Sequence, residues 1–243
     1  MKTKKSALIT GANKGIGLEI ARQLGRLGYT VWLGCRDQQR GAQATAELQA
    51  EGLDARNLPL DVSSDDSVRK AAAQLDGLDV LVNNAGISLG MAESITRDSL
   101  DDMRTMLEVN ALGPVRVTRA FLPLLRKSAE PRIVMMSSSL GSVSATLDIS
   151  RGGWNVGYAG YSASKSALNM FTAKLAKELL AENFKVNAAC PGFTATDLNA
   201  HTGFRTAQDG AAIAVRLATL DALGPTGGFF NDGHTAELNP LPW

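Results

Sequence analysis

The 243-residue sequence has few of the residues that build disulfide frameworks and metal centres. Its two cysteines, Cys35 and Cys190, each lie beside a predicted strand, so we expect small buried thiols and neither a disulfide framework nor a zinc cluster. Its two histidines, His201 and His234, are too few for a metal site without several carboxylates. We therefore predict no bound metal.

The sequence also lacks an excess of charge of either sign and any long apolar run. Twenty-five basic and twenty-four acidic side chains leave a net charge of +1, which gives no electrostatic reason to expect nucleic acid or an anionic membrane as a partner. The apolar stretch near the start is too short for a signal peptide, and no window approaches the roughly 20 residues of a membrane span. The sequence predicts a soluble cytoplasmic protein.

Short apolar runs alternate with helical patterns along the whole chain. The apolar runs predict strands at 7–10, 30–34, 55–60, 79–86, 132–137, 184–190 and 227–230. Apolar residues at helical spacing predict helices near 16–27, 39–51, 64–75, 98–110, 112–127, 158–181 and 206–222. Continuous apolar strands are typical of a parallel sheet buried on both faces. We predict a single doubly wound α/β domain over residues 1–243.

The first predicted strand ends in the glycine-rich stretch "TGANKGIG", residues 10–17. Gly11, Gly15 and Gly17 remove side chains where a backbone would turn tightly, approach a pyrophosphate and pack a helix on a strand. Amide groups at the start of the next helix would then face the phosphates. Because the stretch follows a strand and opens an amphipathic helix, we favour nucleotide binding over a purely structural turn.

The end of the second predicted strand, "GCRD" at 34–37, bears on the choice of nucleotide. NAD-selective sites tend to carry an acidic residue here, whereas Arg36 suits a 2′-phosphate that a guanidinium grips with two hydrogen bonds. The alternative for Arg36 is a solvated loop charge. Lys14 in the glycine turn would add a second positive charge, and Asp37 either points to solvent or indicates the use of both nucleotides. We predict NADPH/NADP+ as the cofactor in preference to NADH.

The stretch "YSASK", residues 161–165, places a phenol and an ammonium group one helical turn apart. The pair belongs either to a surface helix or to the inner face of a long one. The same helical stripe continues, mostly with apolar side chains, through Leu168, Thr172, Leu175 and Leu179. This pattern favours the inner face, where a lysine would favour the phenolate and make the tyrosine a usable acid near neutral pH.

Six motifs follow one another along the chain. They are "TGANKGIG", "NNAG" at 83–86, Asn110, "SSS" at 137–139, "YSASK", and "PGFTATD" at 191–197. In this order they resemble the short-chain dehydrogenase/reductase family, and specifically its NADPH-dependent carbonyl reductase branch, over nearly the whole chain. The resemblance implies a Rossmann-type parallel sheet of about seven strands with helices on both faces.

The resemblance also implies the residues of a catalytic and cofactor site. Tyr161 and Lys165 match its Y-x-x-x-K pair, Asn110 its asparagine, and Ser138 its serine, with Ser139 as the second choice. The implied cofactor contacts are Gly11, Asn13, Lys14, Gly15, Ile16, Gly17, Arg36, Asp61, Val62, Asn83, Ala85, Gly86, Tyr161, Lys165, Pro191, Gly192, Thr194 and Thr196.

The implied reaction is hydride transfer from NADPH to the carbonyl carbon of a small ketone or aldehyde, reversible as alcohol oxidation. Tyr161 would supply the proton, with its phenolate stabilised by Lys165 and the oxidised nicotinamide. Ser138 would hydrogen-bond the carbonyl oxygen, and Asn110 would hold a water that connects Lys165 to solvent. The alternatives are an NAD-linked alcohol dehydrogenase and a non-catalytic regulator that senses NADPH.

Two further segments bear on the substrate and on assembly. We predict a substrate loop near 140–157, in which Trp154 either lines the site or covers the loop, and a lid near 193–206. Phe193 and Phe204 either line the substrate site or pack in the core, and His201 is a loop residue. The tail "ELNPLPW" docks on a neighbouring subunit or on its own domain. The family often pairs helices like 112–127 and 158–181 in tetramers, but the long substrate loop leaves a dimer, a tetramer or a monomer open.

Overall fold

The structure is a computed structural model that describes residues 4–90, 95–150, 157–233 and 237–243. Its strands are β1 (Ser6–Thr10), β2 (Thr30–Cys35), β3 (Ala55–Pro59), β4 (Val80–Asn83), β5 (Arg132–Met136), β6 (Lys185–Ala189), β7 (Phe229–Asn231) and β8 (Asn239–Pro240). In the described part of the chain they form one sheet in the order β3-β2-β1-β4-β5-β6-β7-β8. The pairs from β3 through β7 are all parallel, so the predicted doubly wound α/β fold is confirmed.

The last strand, β8, is an addition to the seven that the sequence predicted. It pairs antiparallel with β7, with Phe230 opposite Pro240 and Asn231 opposite Asn239. The apolar pattern could not reveal it because the strand is only two residues long and contains a proline, which is tolerated at a sheet edge. After β8 the Trp243 ring stacks on the Phe229 ring with the centroids 5.5 Å apart. The tail therefore docks on its own domain.

Helices cover both faces of the sheet. They are α1 (Gly15–Arg26), α2 (Gln38–Ala50), α3 (Asp65–Ala72), α4 (Leu100–Leu107), α5 (Gly113–Leu125), α6 (Val143–Thr146), α7 (Ala159–Glu178) and α8 (Ala207–Ala218). One apolar core joins α1, α2 and α8 to the sheet, and a second joins α3, α5 and α7 to its other face. Across the described ranges, none of the helices combines the length and the apolar character that a bilayer crossing requires.

The strand β1 shows why the strands are apolar throughout. Ala7 and Ile9 pack in the first core, whereas Leu8, between them, packs in the second. Both faces of the strand are buried, so every position needs an apolar side chain. Pro59, which weakened the prediction of β3, lies on a strand at the edge of the sheet, where it is tolerated.

The connection between α4 and α5 differs from the predicted pair of separate helices. A π-helical turn, Glu108–Leu112, links them directly. Asn110 lies in this turn and is fully buried, with 0% of its surface exposed. Single π-helical turns are frequent at functional sites, and this one directs Asn110 toward the residues that follow β4.

Candidate active site

The glycine turn, residues 11–17, connects the end of β1 to the start of α1. Gly11 and Gly15 have φ angles of +65° and +55°, a left-handed backbone that favours glycine. A Cβ atom added at Gly17 would lie 2.5 Å from the Gly11 carbonyl oxygen, so no side chain fits there. Within the described residues, Lys14 gives the start of α1 no side-chain cap. The open helix start fits an anion such as the pyrophosphate of a dinucleotide.

The segment after β4 holds the glycine turn in place through Asn84. Its side-chain amide donates to the carbonyl oxygens of Thr10 at 2.9 Å and Gly11 at 3.2 Å. The hydroxyl of Thr10 in turn accepts from the amides of Asn84 and Ala85, both at 3.0 Å. Sequence reasoning missed Asn84, although its position next to Asn83 in "NNAG" was the available signal.

Asn83 lies on the opposite side of the chain from the glycine turn. Its side-chain amide donates to the Thr118 hydroxyl at 3.0 Å and contacts the Met135 sulfur at 3.3 Å, deep in the core between β4 and α5. Its side chain is thus engaged in the core, and a cofactor contact through the main chain of Asn83 stays a prediction.

The end of β2 carries an exposed Arg36, and Asp37 has a local structural role. The Asp37 carboxylate accepts from the Arg40 amide at 3.0 Å and caps α2. The same carboxylate lies 3.4 Å from the Arg40 guanidinium. Asp37 is therefore engaged at the start of its own helix, which accounts for an acidic residue at this position without a contact to a ribose.

Asp61 and Val62 follow β3 beside this strand end. Burial by itself would raise the pKa of Asp61, but hydrogen bonds from Ser63 and the charges of Arg36 and Arg116 hold that pKa below its ordinary value. Val62 is buried, and its carbonyl oxygen accepts from the Arg116 guanidinium at 2.8 Å. Arg36 and Asp61 are thus close enough to interact, as a shared adenosine site requires.

The segment 191–197 packs against the glycine turn. Gly192 has a φ of +73°, and the buried Thr194 donates from its hydroxyl to the Pro191 carbonyl at 3.1 Å. The Thr196 methyl group lies 3.5 Å from the position that a Cβ would take at Gly15. These contacts place the segment against the start of α1, beside the remaining turn residues Asn13 and Ile16, both partly buried.

An ion pair between Lys14 and Asp197 also joins this segment to the glycine turn. The other Asp197 oxygen lies 2.7 Å from the His201 ring nitrogen Nε2. Sequence reasoning assigned both Lys14 and the "PGFTATD" segment to the cofactor but missed the ion pair between them. His201 is exposed and lies in a loop, as predicted.

The two ends of the predicted lid, 193–206, are hydrogen-bonded to each other. The Phe193 carbonyl accepts from the amides of Phe204 at 3.1 Å and Arg205 at 3.2 Å. The Arg205 guanidinium forms a buried ion pair with Asp232, which follows β7, at 2.5 and 2.9 Å. The lid is therefore a loop pinned at both ends, with Asp197 near its tip.

Ser138, Tyr161 and Lys165 come together beyond the carboxyl end of β5. The Ser138 side chain lies close enough to the Tyr161 hydroxyl to lower the pKa of Tyr161. Ser137 is buried and bonds Asn169 at 2.5 Å, and Ser139 is exposed with its amide on the Cys190 sulfur at 3.2 Å. Of the three serines, Ser138 is the one that contacts Tyr161, which favours the first choice over Ser139.

Lys165 lies deep at the inner end of this cluster. It is 4% exposed, and its ammonium group donates to the Met136 carbonyl at 2.7 Å and lies 5.6 Å from the centre of the Tyr161 ring. The stripe of α7 that follows it is buried at Leu168, Thr172 and Leu179, so the predicted inner face of this helix is confirmed.

Burial is the main influence on the pKa values of Tyr161 and Lys165. Burial raises the pKa of Tyr161, the Cys190 sulfur adds to the increase, and the Ser138 hydrogen bond opposes it. Burial lowers the pKa of Lys165 to about 8. Burial is the largest cause acting on both groups here, and the predicted effect of Lys165 on the pKa of Tyr161 beside a bound nucleotide stays a prediction.

Asn110 is held by its neighbours on both sides. Its side-chain oxygen accepts from the Ile87 amide at 2.8 Å, and its side-chain amide donates to the Ile87 carbonyl at 2.8 Å and the Ser164 hydroxyl at 3.0 Å. The side chain is thus occupied in fixing the segment after β4 against α7. The predicted water between Asn110 and Lys165 stays a prediction. Because the Asn110 side chain is occupied, its main chain would have to hold that water.

Two residues after β4 bridge the glycine turn and the catalytic cluster. A Cβ at Gly11 would lie 2.9 Å from the Ala85 Cα atom. A Cβ at Gly86 would lie 3.4 Å from the Asn110 side-chain oxygen and 3.6 Å from the Lys165 amine. These distances bring the glycine turn, Asn110 and Lys165 together at the carboxyl ends of β1, β4 and β5, where doubly wound sheets bind ligands and where we expect the cofactor crevice.

The predicted substrate contacts are less well defined. Trp154 lies outside the described residues, so its role stays a prediction. Phe193 and Phe204 are 49% and 77% exposed and pack edge to face with their ring centres 6.0 Å apart. The core-packing alternative for these two rings is therefore wrong.

A doubly wound sheet with a glycine turn after its first strand is the architecture of dinucleotide-binding proteins. The sequence model of the family described as short chain dehydrogenase matches residues 5–205. Short-chain dehydrogenase/reductase 1 of Saponaria officinalis is 35% identical over 285 aligned positions, covering 93% of this chain and 94% of that protein. The chain belongs to the short-chain dehydrogenase/reductase family of oxidoreductases.

Solved structures with the same fold carry either nicotinamide nucleotide. The NADPH-bound carbonyl reductase from chicken fatty liver is 29% identical, with a TM-score of 0.84 and coverage of 99% of both chains. A 3-oxoacyl-[acyl-carrier protein] reductase from Brucella melitensis with bound NAD is also 29% identical, with a TM-score of 0.81 and coverage of 94% of this chain and 90% of that one. Similarity to these structures leaves the choice between NADPH and NADH to the local residues.

Proposed function

We propose that the protein reduces the carbonyl group of a small ketone or aldehyde with NADPH, reversibly, and that Tyr161 is the general acid. The observation that carries this proposal is the position of Ser138 next to Tyr161, with the buried Lys165 amine 5.6 Å from the centre of the Tyr161 ring. Two neighbouring hydroxyls can both donate to one carbonyl oxygen. Membership of an oxidoreductase family supports the reaction type.

The bound nucleotide would supply the hydride, and the chain's own residues would handle the proton and the developing charge. Ser138 and Tyr161 would donate to the carbonyl oxygen as negative charge builds on it. With its pKa raised by burial, Tyr161 is fully protonated at neutral pH and holds the proton that the alkoxide takes. Lys165, with a pKa of about 8, is mostly protonated at pH 7 and would stabilise the phenolate left behind.

Local charge supports NADPH as the cofactor. Asp37, the acidic residue at the end of β2, is engaged as the cap of α2, which leaves the exposed Arg36 as the strand-end charge beside Asp61. Arg36 and Lys14 would supply two cations to a 2′-phosphate.

Replacement by Arg36→Ala should lower kcat/KM for NADPH about ten-fold and leave that for NADH nearly unchanged; equal loss for both nucleotides would contradict the phosphate role and favour the NAD-linked alternative.

The acid role is tested by Tyr161→Phe, which removes one oxygen atom and keeps the ring. We expect ketone reduction to fall by about 10²–10⁴-fold while NADPH still binds. The matched control is Tyr158→Phe, which makes the same change one turn away, at the residue before α7. Near wild-type reduction by Tyr161→Phe would refute the assignment of Tyr161 as the acid. Absence of NADPH oxidation by the wild type across a broad ketone panel would favour the non-catalytic regulator instead.

A further inference from the structure

Lys14, one of the two cations that the proposed function assigns to the 2′-phosphate, is paired with Asp197 in this structure. Lys14 belongs to the glycine turn and Asp197 to the tip of the lid. Both side chains are about half exposed, at 53% and 52%, so an incoming anion can reach the pair. The glycine turn and the lid tip also touch through Thr196 and Gly15, so this contact does not depend on the two long side chains alone.

The Asp197 carboxylate is held in position by its surroundings. It starts a short 3-10 turn, Asp197–Asn199, that is closed by reciprocal hydrogen bonds between Thr196 and Asn199. One of its oxygens accepts from Lys14 and the other contacts His201. Hydrogen bonds from Lys14 first, and then His201, keep the pKa of Asp197 below its ordinary value, so it is charged at neutral pH.

The base of the lid keeps this carboxylate over the crevice. Arg205 anchors one end of the lid to Asp232 through a buried ion pair, and main-chain hydrogen bonds between residues 193 and 205 tie the two ends together. Asp197 therefore lies on a loop whose two ends are fixed to the domain. A 2′-phosphate held by Lys14 would have to compete with a fixed negative charge beside it.

We propose that Asp197 sets the nucleotide selectivity of this site by competing with the 2′-phosphate for Lys14. A nucleotide without that phosphate leaves the Lys14–Asp197 pair intact and binds without loss. A nucleotide with it must draw Lys14 away from Asp197 and place a phosphate near the carboxylate. The proposal rests on the proposed function, since it takes NADPH as a ligand of the crevice, and it makes Asp197 a residue that weakens the binding of NADPH.

The test compares dissociation constants for NADPH and NADH in the wild type and in Asp197→Asn, by titration of nucleotide fluorescence without any substrate. An exposed ion pair contributes at most about 1 kcal/mol, so we expect the dissociation constant for NADPH to fall about two- to five-fold. The constant for NADH should stay the same. In a Lys14→Met background, Asp197→Asn should lower the dissociation constant for NADPH by a smaller factor, because only the repulsion between phosphate and carboxylate is then relieved.

The matched control is Asp66→Asn, which makes the same change of net charge on α3 at an exposed carboxylate paired with Arg69. It should alter neither constant. Three results would each overturn the inference while NADPH binding itself stands. They are an equal gain in affinity for NADPH and NADH in Asp197→Asn, an equal gain in NADPH affinity from Asp66→Asn, and an unchanged dissociation constant for NADPH in Asp197→Asn. Failure of the wild type to bind either nucleotide would instead overturn the proposed function, and the inference with it.

Discussion

The two sides of the crevice are built differently. The cofactor side, residues 10–17 and 83–86, is fixed by main-chain contacts and by close approach at glycines, such as the 2.5 Å that a Cβ at Gly17 would leave. The predicted substrate side, residues 140–150 of the predicted loop and the predicted lid 193–206, presents large apolar side chains to solvent. Among them are Leu147 at 70%, Ile149 at 72% and Phe204 at 77% exposure. Substitutions should therefore cost folding energy on the first side and change substrate preference on the second.

The largest effect is expected from Gly17→Val on the cofactor side. The new side chain would collide with the Gly11 carbonyl and the Asn84 amide, both 2.5 Å from the Cβ position. We expect the free energy of unfolding to drop by about 3 kcal/mol and NADPH binding to be lost. Urea denaturation and nucleotide titration measure both. Gly77→Val is the control, because a Cβ at Gly77 has open space around it; equal destabilisation by the two variants would show that close packing is not the reason.

Lys165 lies where the two sides meet, and its buried charge should appear in stability as a function of pH. Its pKa is about 8 in the folded chain and 10.5 as the ordinary value, so between these pH values the unfolded chain binds one more proton than the folded one. Wild-type stability should therefore rise with pH across this window, relative to Lys165→Met, by up to about 3 kcal/mol. Denaturation of both proteins from pH 7 to 10.5 measures the difference. A constant difference would show that the lysine keeps its ordinary pKa.

The neighbouring residues Asn84 and Asn83 have different contacts: Asn84 bonds the glycine turn, and Asn83 lies in the core. Asn84→Ala removes two hydrogen bonds to the glycine turn, so we expect a loss of about 2 kcal/mol in stability and weaker NADPH binding. Asn83→Ala removes contacts in the core between β4 and α5 and should cost similar stability without a change in NADPH affinity. The two variants thus serve as controls for each other. Unchanged NADPH affinity in both would remove Asn84 from the cofactor side.

The difference between the two sides also explains what the sequence could predict. The apolar pattern of the strands and the spacing of the glycines result from tight packing. The sheet, its parallel order and the position of the expected crevice could therefore be predicted from them. The pairing of Lys14 with Asp197, the anchoring of the lid by Arg205 and Asp232, and the strand β8 depend on side chains or short segments that meet only in the folded chain. The effect of burial on the pKa of Tyr161 could not be predicted for the same reason, because burial is a property of the assembled site.

The smallest effect on stability is expected from Phe193→Ala on the substrate side. The ring is 49% exposed and packs edge to face only loosely, 6.0 Å from the Phe204 ring, so the free energy of unfolding should change by no more than about 0.5 kcal/mol. NADPH affinity should stay the same, while KM for ketones with a bulky apolar group should rise several-fold if the ring lines their path. Leu223→Ala, at a side chain 96% exposed outside the lid, controls for the loss of exposed apolar surface. A loss of stability above 1 kcal/mol would assign Phe193 to the core after all, and an unchanged KM for every ketone would remove it from the substrate side.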